Sequence, residues 1–241
     1  MKKLELTIPE LPYAVEETLN RLRVNIKFCG KNTKIILVTS SIPNEGKSFT
    51  SVNLWKMLAE AGFPTVLVDV DLRKSVLQDR HSFDSEDELK GLDYYLSGLA
   101  EYQDVLCETN IKNGYIIPCT NVLENPSALL EDARMKELFG QLSENFRYVI
   151  VDSPPLNSVA DGTQIAALCD GAILVVRSGE TSRALIKDSL RQLERANCKL
   201  LGTVLNRVET RSPSYKKYYG SYGRYNQEEY YGKKPKRKKW H

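Results

Sequence analysis

Gly46, Lys47 and Ser48 stand between the apolar, β-branched run at residues 35–38 and a helix-forming segment whose Val52, Leu54 and Leu58 are read as its apolar face. A glycine, a lysine and a hydroxyl at a strand-to-helix turn are the makings of a phosphate site. Successive backbone N–H groups and the helix N-terminus surround phosphate oxygens, the lysine ammonium neutralises their charge, and the Ser48 hydroxyl can ligate Mg²⁺. The spacing fits the end of the phosphate-binding pattern G-x-x-x-x-G-K-[ST]. Ser41 replaces its first glycine, and Asn44 stands where related loops often carry another. Asparagine tolerates left-handed backbone angles, so that change is mild. The expected nucleotide contacts on this turn are Asn44, Glu45, Gly46, Lys47, Ser48 and Phe49, with Lys47 on an exposed loop.

A second set of candidates is acidic. Asp69 and Asp71, followed by Arg73, end the apolar run at residues 65–70, and Asp152 ends the run at 148–151, just before Ser153-Pro154-Pro155. Open parallel sheets place ligands at the carboxyl ends of their strands. An aspartate there, beside a phosphate loop, holds Mg²⁺ directly or through water. Asp69 and Asp71 are read as differing in role, one orienting Mg²⁺-bound water while the other accepts the proton of an attacking hydroxyl. Which does which stays open. The candidate catalytic set is Lys47, Asp69 and Asp71, and the candidate metal set is Ser48, Asp71 and Asp152.

These side chains need strands and helices to carry them, and the hydrophobic pattern supplies both in alternation. Residues 12–28 read as an amphipathic helix outside the sheet, with Leu19, Leu22 and Ile26 on one stripe and Glu17 and Arg21 spaced for an ion pair. Residues 80–90 are polar and acidic, an exposed loop before a short helix at 92–96. A strand is expected at 115–119, and Ser127 is expected to cap a helix running to about Leu142. Strands at 148–151, 171–176 and 199–205 then alternate with helices at 161–168 and 181–196. Such alternation specifies an α/β fold, a doubly wound, mostly parallel sheet with helices on both faces.

Composition sets the outer bounds. The 241 residues suffice for one large domain with a substantial core, and no apolar run is long enough for a leader or a membrane span, so a soluble, cytoplasmic chain is expected. Five scattered cysteines without a C-x-x-C pair read as buried free thiols, and two histidines are too few for a histidine-based zinc centre. The net charge of +3 conceals an asymmetry. Residues 211–241 carry ten Lys/Arg against two Glu, a net of +8, which leaves residues 1–210 with 24 basic against 29 acidic side chains, a net of −5. Seven of the thirteen tyrosines, Tyr215, Tyr218, Tyr219, Tyr222, Tyr225, Tyr230 and Tyr231, lie in that basic stretch among glycine, serine and lysine. With no aliphatic residue to bury them, a disordered or conditionally ordered tail is expected.

Taken together, SSIPNEGKS, VLVDVDLR and VIVDSPP, in this order and spacing, resemble the motifs of the bacterial tyrosine kinases that accompany capsule and exopolysaccharide synthesis. GLDYYLSG, NPSALL, AILVVRSGETSR and the tyrosine cluster extend the resemblance over nearly the whole chain. It implies a P-loop NTPase fold of the MinD/ParA-like (SIMIBI) type, with ATP and Mg²⁺ as cofactors. It also implies phosphorylation in trans of the seven tail tyrosines, with adenine contacts from Asn206 and Arg207. The implied division is an oligomerisation segment at 1–33, a kinase domain at 34–210 and a tyrosine-rich tail at 211–241. A homo-oligomeric ring is implied through an N-terminal motif E-x-x-R-x-x-R-x-N-I, in which this chain carries Asn20 for the first arginine, between Glu17 and Arg23. Further implied partners are a membrane-spanning activator, which recruits the kinase to the inner face of the cell membrane, and a tyrosine phosphatase. Nucleic acid is not among the expected partners.

Two other readings compete. A partitioning or division-site ATPase switch of the same fold, acting on DNA or membrane, needs a second lysine near the start of the phosphate loop, where this chain has Ile42, and it leaves the tyrosines unexplained. A nucleic-acid binder would use the basic, aromatic tail, yet the remainder of the chain is acidic and offers no recognition motif.

Overall fold

A computed structural model describes residues 2–81, 83, 88–123 and 125–209. The chain forms two compact units, Met1–Asn206 and Arg207–His241. The second is described only through Glu209, so all seven tail tyrosines lie outside the described residues.

The first unit is built on strands β1 (Lys2–Leu4), β2 (Ile35–Ser40), β3 (Thr65–Asp69), β4 (Cys107–Thr109), β5 (Gly114–Ile117), β6 (Tyr148–Asp152), β7 (Gly171–Arg177) and β8 (Leu200–Asn206). They form one sheet in the order β1-β4-β5-β3-β6-β2-β7-β8, parallel throughout except for the antiparallel β4–β5 pair. Strands buried on both faces read as continuous apolar runs, and the four central ones do. Successive side chains alternate between faces. Ile35 and Leu37 join one apolar cluster while Ile36 and Val38 join the other.

Helices α1 (Tyr13–Phe28), α2 (Lys47–Glu60) and α3 (Leu77–His81) cover the face that receives Ile36. The opposite face is covered by α4 (Leu92–Leu96), α5 (Tyr102–Val105), α6 (Ser127–Leu130), α7 (Ala133–Asn145), α8 (Asp161–Ala166) and α9 (Arg183–Arg195). The doubly wound sheet expected from the alternation is therefore present. Along α1, Leu19 and Ile26 are buried and Glu17 pairs with Arg21 at 3.8 Å.

Several local expectations are corrected. Helix α2 has no single apolar face, because Val52, Leu54, Trp55, Leu58 and Ala59 are all buried between α1 and the sheet. The helix expected at residues 127–142 is two helices. Asp132 takes extended backbone angles and caps α7 through Arg134 N–H at 2.8 Å, which interrupts the run. Ser127 is not a cap, since its hydroxyl donates to Asp161 at 2.8 Å. Residues 80 and 81 end α3 rather than open a loop, and His81 is buried. Strands β1 and β4 went unread because three residues are too few to show a period of two. The five cysteines are free thiols, four of them buried and Cys29 partly so. Among the described residues no helix is long and apolar enough to cross a membrane.

Candidate functional site

The central strands β3, β6 and β2 are neighbours, so their carboxyl ends bring Asp69, Asp152 and the phosphate loop side by side. Asn44 (φ 65°) and Gly46 (φ 101°) both adopt left-handed angles, so asparagine performs the turn that glycine performs elsewhere. Residues 177–206 fasten this loop at three points. The fully buried Glu45 carboxylate accepts from Ile42 N–H (2.9 Å), Arg177 N–H (3.1 Å) and the Thr181 hydroxyl. Asn206 Nδ2 donates to the Glu45 carbonyl at 2.8 Å, and Ser189 Oγ donates to Ser41 Oγ at 2.8 Å. A Cβ at position 46 would sit 2.0 Å from Asn206 Nδ2, so both space and backbone angle restrict this position to glycine.

The acidic candidates lie against Lys47. Its ammonium donates to Asp71 Oδ2 at 2.9 Å and stands 3.4 Å from Ser48 Oγ. With 9% of its surface exposed, Lys47 is buried rather than on an exposed loop, because the carboxyl ends of β3 and β6 close around it. Asp69 and Asp152 are register partners in the β3–β6 pair, each 1% exposed. Burial first, and then the Asp152 charge, pushes the Asp69 carboxyl up to about 8, against the hydrogen bond from Ser75 Oγ at 2.5 Å. Burial likewise raises Asp152, opposed by Lys47, Ser48 and Ser51, whose hydroxyl donates to Asp152 Oδ1 at 2.8 Å. For Lys47, burial alone would lower the pKa, but Asp152, Asp71 and Asp69 outweigh it and raise it. Asp69 and Asp71 do differ in their contacts. The strand ends at Asp69, whose Oδ1 accepts the Asp71 N–H at 3.2 Å, while the Asp71 side chain turns to Lys47.

A cleft of about 190 Å³ opens over this group. Asn44, Gly46, Lys47 and Ser48 form one wall, Asp71, Arg73 and Lys74 a second, and Pro154, Pro155, Ser158 and Val159 a third. Asp69 and Asp152 lie outside the cleft lining, as do Glu45, Phe49 and Asn206. Arg207 belongs to the second compact unit. Two residues of the site escaped sequence reading. Asp161 receives Arg73 Nε at 2.6 Å, and Ser127 Oγ accepts from Arg73 Nη2 at 3.1 Å, so α6 and α8 together orient the guanidinium. Burial alone would raise the Asp161 pKa, but its bonds to Arg73 and Ser127 hold it below the usual carboxylate range. The signal was available: Asp161 follows the Asp152-x-Pro154-Pro155 turn within one short loop.

Among the described residues no three His, Cys, Asp or Glu side chains form a ready-made metal cage. Mg²⁺ needs none, since it binds through one or two carboxylates together with substrate phosphates and water. The oxygen donors Ser48, Asp71 and Asp152, grouped where carboxylates outnumber the ammonium, suit that ion.

Residues 33–199 match a family model described as an AAA domain. The tyrosine-protein kinase CpsD of Streptococcus agalactiae is 39% identical over 226 residues, covering 93% of this chain and 97% of that protein. The CpsD of Streptococcus pneumoniae is 37% identical over 228 residues, covering 93% and 100%. Among solved structures, the kinase domain of the Escherichia coli tyrosine kinase ETK superposes with a TM-score of 0.76 at 28% identity, covering 82% of this chain and 77% of that one. The septum site-determining protein MinD of Pyrococcus horikoshii OT3, complexed with Mg-ADP, superposes at 0.61 with 22% identity over 76% of each chain, a likeness of fold.

Proposed function

The chain belongs to the bacterial tyrosine kinases of capsule and exopolysaccharide systems, and from that premise we propose that its cleft transfers the γ-phosphoryl group of ATP to tyrosines in the tail of a neighbouring copy. The observation that carries this reading is the buried cluster of Lys47 with Asp71, Asp69 and Asp152 beneath a P-loop. Mg²⁺, when bound with ATP, neutralises charge on the β- and γ-phosphates. The backbone N–H groups of Asn44 to Ser48 and the N-terminus of α2 receive the phosphates, and Lys47 leaves Asp71 to face them. Ser48, Asp71 and Asp152 supply the oxygen ligands for the metal. Either Asp69 or Asp71 accepts the tyrosine proton as the new O–P bond forms and the bond to ADP breaks. Glu45 and Asn206 serve the nucleotide by shaping the loop, and Phe49 is the remaining expected contact on this turn.

The tail charge suggests regulation. Each phosphate adds about −1.5 to −2 charges, so about four to six of them neutralise the tail's +8 and phosphorylation of all seven tyrosines turns attraction for an acidic neighbour into repulsion. We infer a homo-oligomer that assembles before phosphorylation and separates after it, recruited to the inner membrane face by a membrane-spanning activator and reset by a phosphatase. In α1, Asn20 Oδ1 accepts from Arg23 Nε and Nη2 at 2.9 and 2.7 Å, so the residue that replaces arginine in the assembly motif holds Arg23 within its own helix. Weaker assembly in the absence of the activator follows. The test is incubation with ATP and Mg²⁺, phosphotyrosine mapping by mass spectrometry, and solution mass before and after, beside a variant with all seven tail tyrosines changed to Phe. Phosphate confined to the tail and lost mass in the wild type alone support the reading. Absence of phosphotyrosine overturns it.

A further inference from the structure

Ser41, which stands where the phosphate-loop pattern has its first glycine, is fully buried, and its hydroxyl meets the equally buried Ser189 of α9. From Ser189 a chain of hydrogen bonds leads to another wall of the cleft. Asn157 Nδ2 donates to Ser189 Oγ at 3.1 Å and to the Leu185 carbonyl at 2.9 Å. Asn157 Oδ1 accepts from Gln192 Nε2 at 2.7 Å, and Gln192 Oε1 accepts from the Thr163 hydroxyl of α8 at 2.8 Å. Both amide hydrogens and the carbonyl of Asn157 are thus used, so its side chain has one orientation. The backbone closes the circuit. Leu156 N–H donates to Ser40 O at 2.9 Å and Asn157 N–H to Ser41 O at 3.2 Å. Pro154 and Pro155 have no N–H to give, so Leu156 and Asn157 pin this wall to the phosphate loop.

Neither Asn157 nor Ser189 lines the cleft, yet the segment that Asn157 anchors supplies Pro154, Pro155, Ser158 and Val159 to it. Through Thr163 the same chain reaches α8, whose Asp161 orients Arg73. We propose that Asn157 and Ser189 are positioning residues for phosphoryl transfer, holding residues 154–159 and the Arg73–Asp161 pair in register with the phosphate loop. This rests on the kinase reading above. The network is anchored on the fully buried Ser41 and Ser189 and runs through the half-buried Asn157, Gln192 and Thr163, which restrains the wall, and reacting groups displaced by about 1 Å lose up to about 10²-fold in rate. The backbone of Asn44 to Ser48 and Lys47, which receive the nucleotide phosphates, make none of these bonds, which reach the loop only at Ser40 and Ser41, so the loss falls on turnover.

The experiment is a double-mutant cycle of Ser41→Gly and Ser189→Ala, with Asn157→Ala beside it, in the full chain. Each variant is measured for kcat and KM(ATP) in tyrosine phosphorylation, for Mg-ADP affinity and for thermal unfolding. The expected result is a fall in kcat of up to about 10²-fold in each single variant, unchanged Mg-ADP affinity, and a double variant no slower than the slower single. Ser41→Gly reports the same link without altering α9, so a folding defect in Ser189→Ala does not decide the outcome. Unchanged kcat, losses that multiply in the double variant, or losses that follow Mg-ADP affinity overturn the proposal. If the wild type transfers no phosphate to tyrosine, the kinase reading fails separately, and the same cycle scored on ATP hydrolysis decides the positioning role.

Discussion

The phosphate-loop wall and the carboxylate wall of the cleft meet at Lys47, but they are held in opposite ways. Around the loop, the Glu45 carboxylate accepts from Ile42, Arg177 and Thr181, Asn206 donates to the Glu45 carbonyl and Ser189 to Ser41, so its shape is complete without a ligand. Across from it, three aspartates share one ammonium, and burial holds Asp69 and Asp152 above the usual carboxylate range. Folding fixes the geometry of the first wall, whereas the charge of the second is completed by what binds. That division suits phosphoryl transfer, in which positioning and electrostatic stabilisation supply most of the catalysis.

Breaking the junction has the largest expected effect. Lys47→Met lowers tyrosine phosphorylation by about 10³ to 10⁵, the scale of a charge facing the transferred phosphoryl group. Because Lys47 is buried among carboxylates, the variant also melts earlier, a cost that an exposed lysine would not carry. Phosphotyrosine yield and thermal unfolding check both, and near-wild-type turnover removes the junction from the account. Gly46→Ala attacks the preformed wall alone. A positive φ and the Asn206 amide at 2.0 Å cost about 1 to 3 kcal/mol of strain, seen as weakened nucleotide binding in titration with the carboxylates untouched. The smallest effect concerns Asp161. Its pKa is lowered in the folded state, so its pairing with Arg73 stabilises the protein above the ordinary carboxylate pKa of about 4 and is lost as pH falls through the lower folded value. Asp161→Asn therefore flattens that acid limb in a denaturation series. Equal acid sensitivity in the two proteins contradicts the sign.

The same contrast explains what the sequence made legible. Gly46, Lys47, Ser48 and the aspartates that end β3 and β6 were readable because their chemistry sits at fixed offsets from apolar strands. Their convergence depends on strand order, which pattern alone does not specify, although βα alternation limits the choices. Ser127 and the chain from Ser41 to Thr163 were not readable, since each bond joins residues 29 or more positions apart on separate segments. Lys47 was placed on the surface because burial by the strand ends is a tertiary effect. The break at Asp132 was local and visible in principle, but the apolar spacing on either side concealed it.

The most direct test is ADP titration with and without Mg²⁺ in the wild type and in Asp152→Asn. The account predicts that Mg²⁺ strengthens ADP binding to the wild type, while Asp152→Asn binds metal-free ADP at least as well and loses the Mg²⁺ increment. An undiminished Mg²⁺ increment in Asp152→Asn, or loss of metal-free ADP binding, would contradict it.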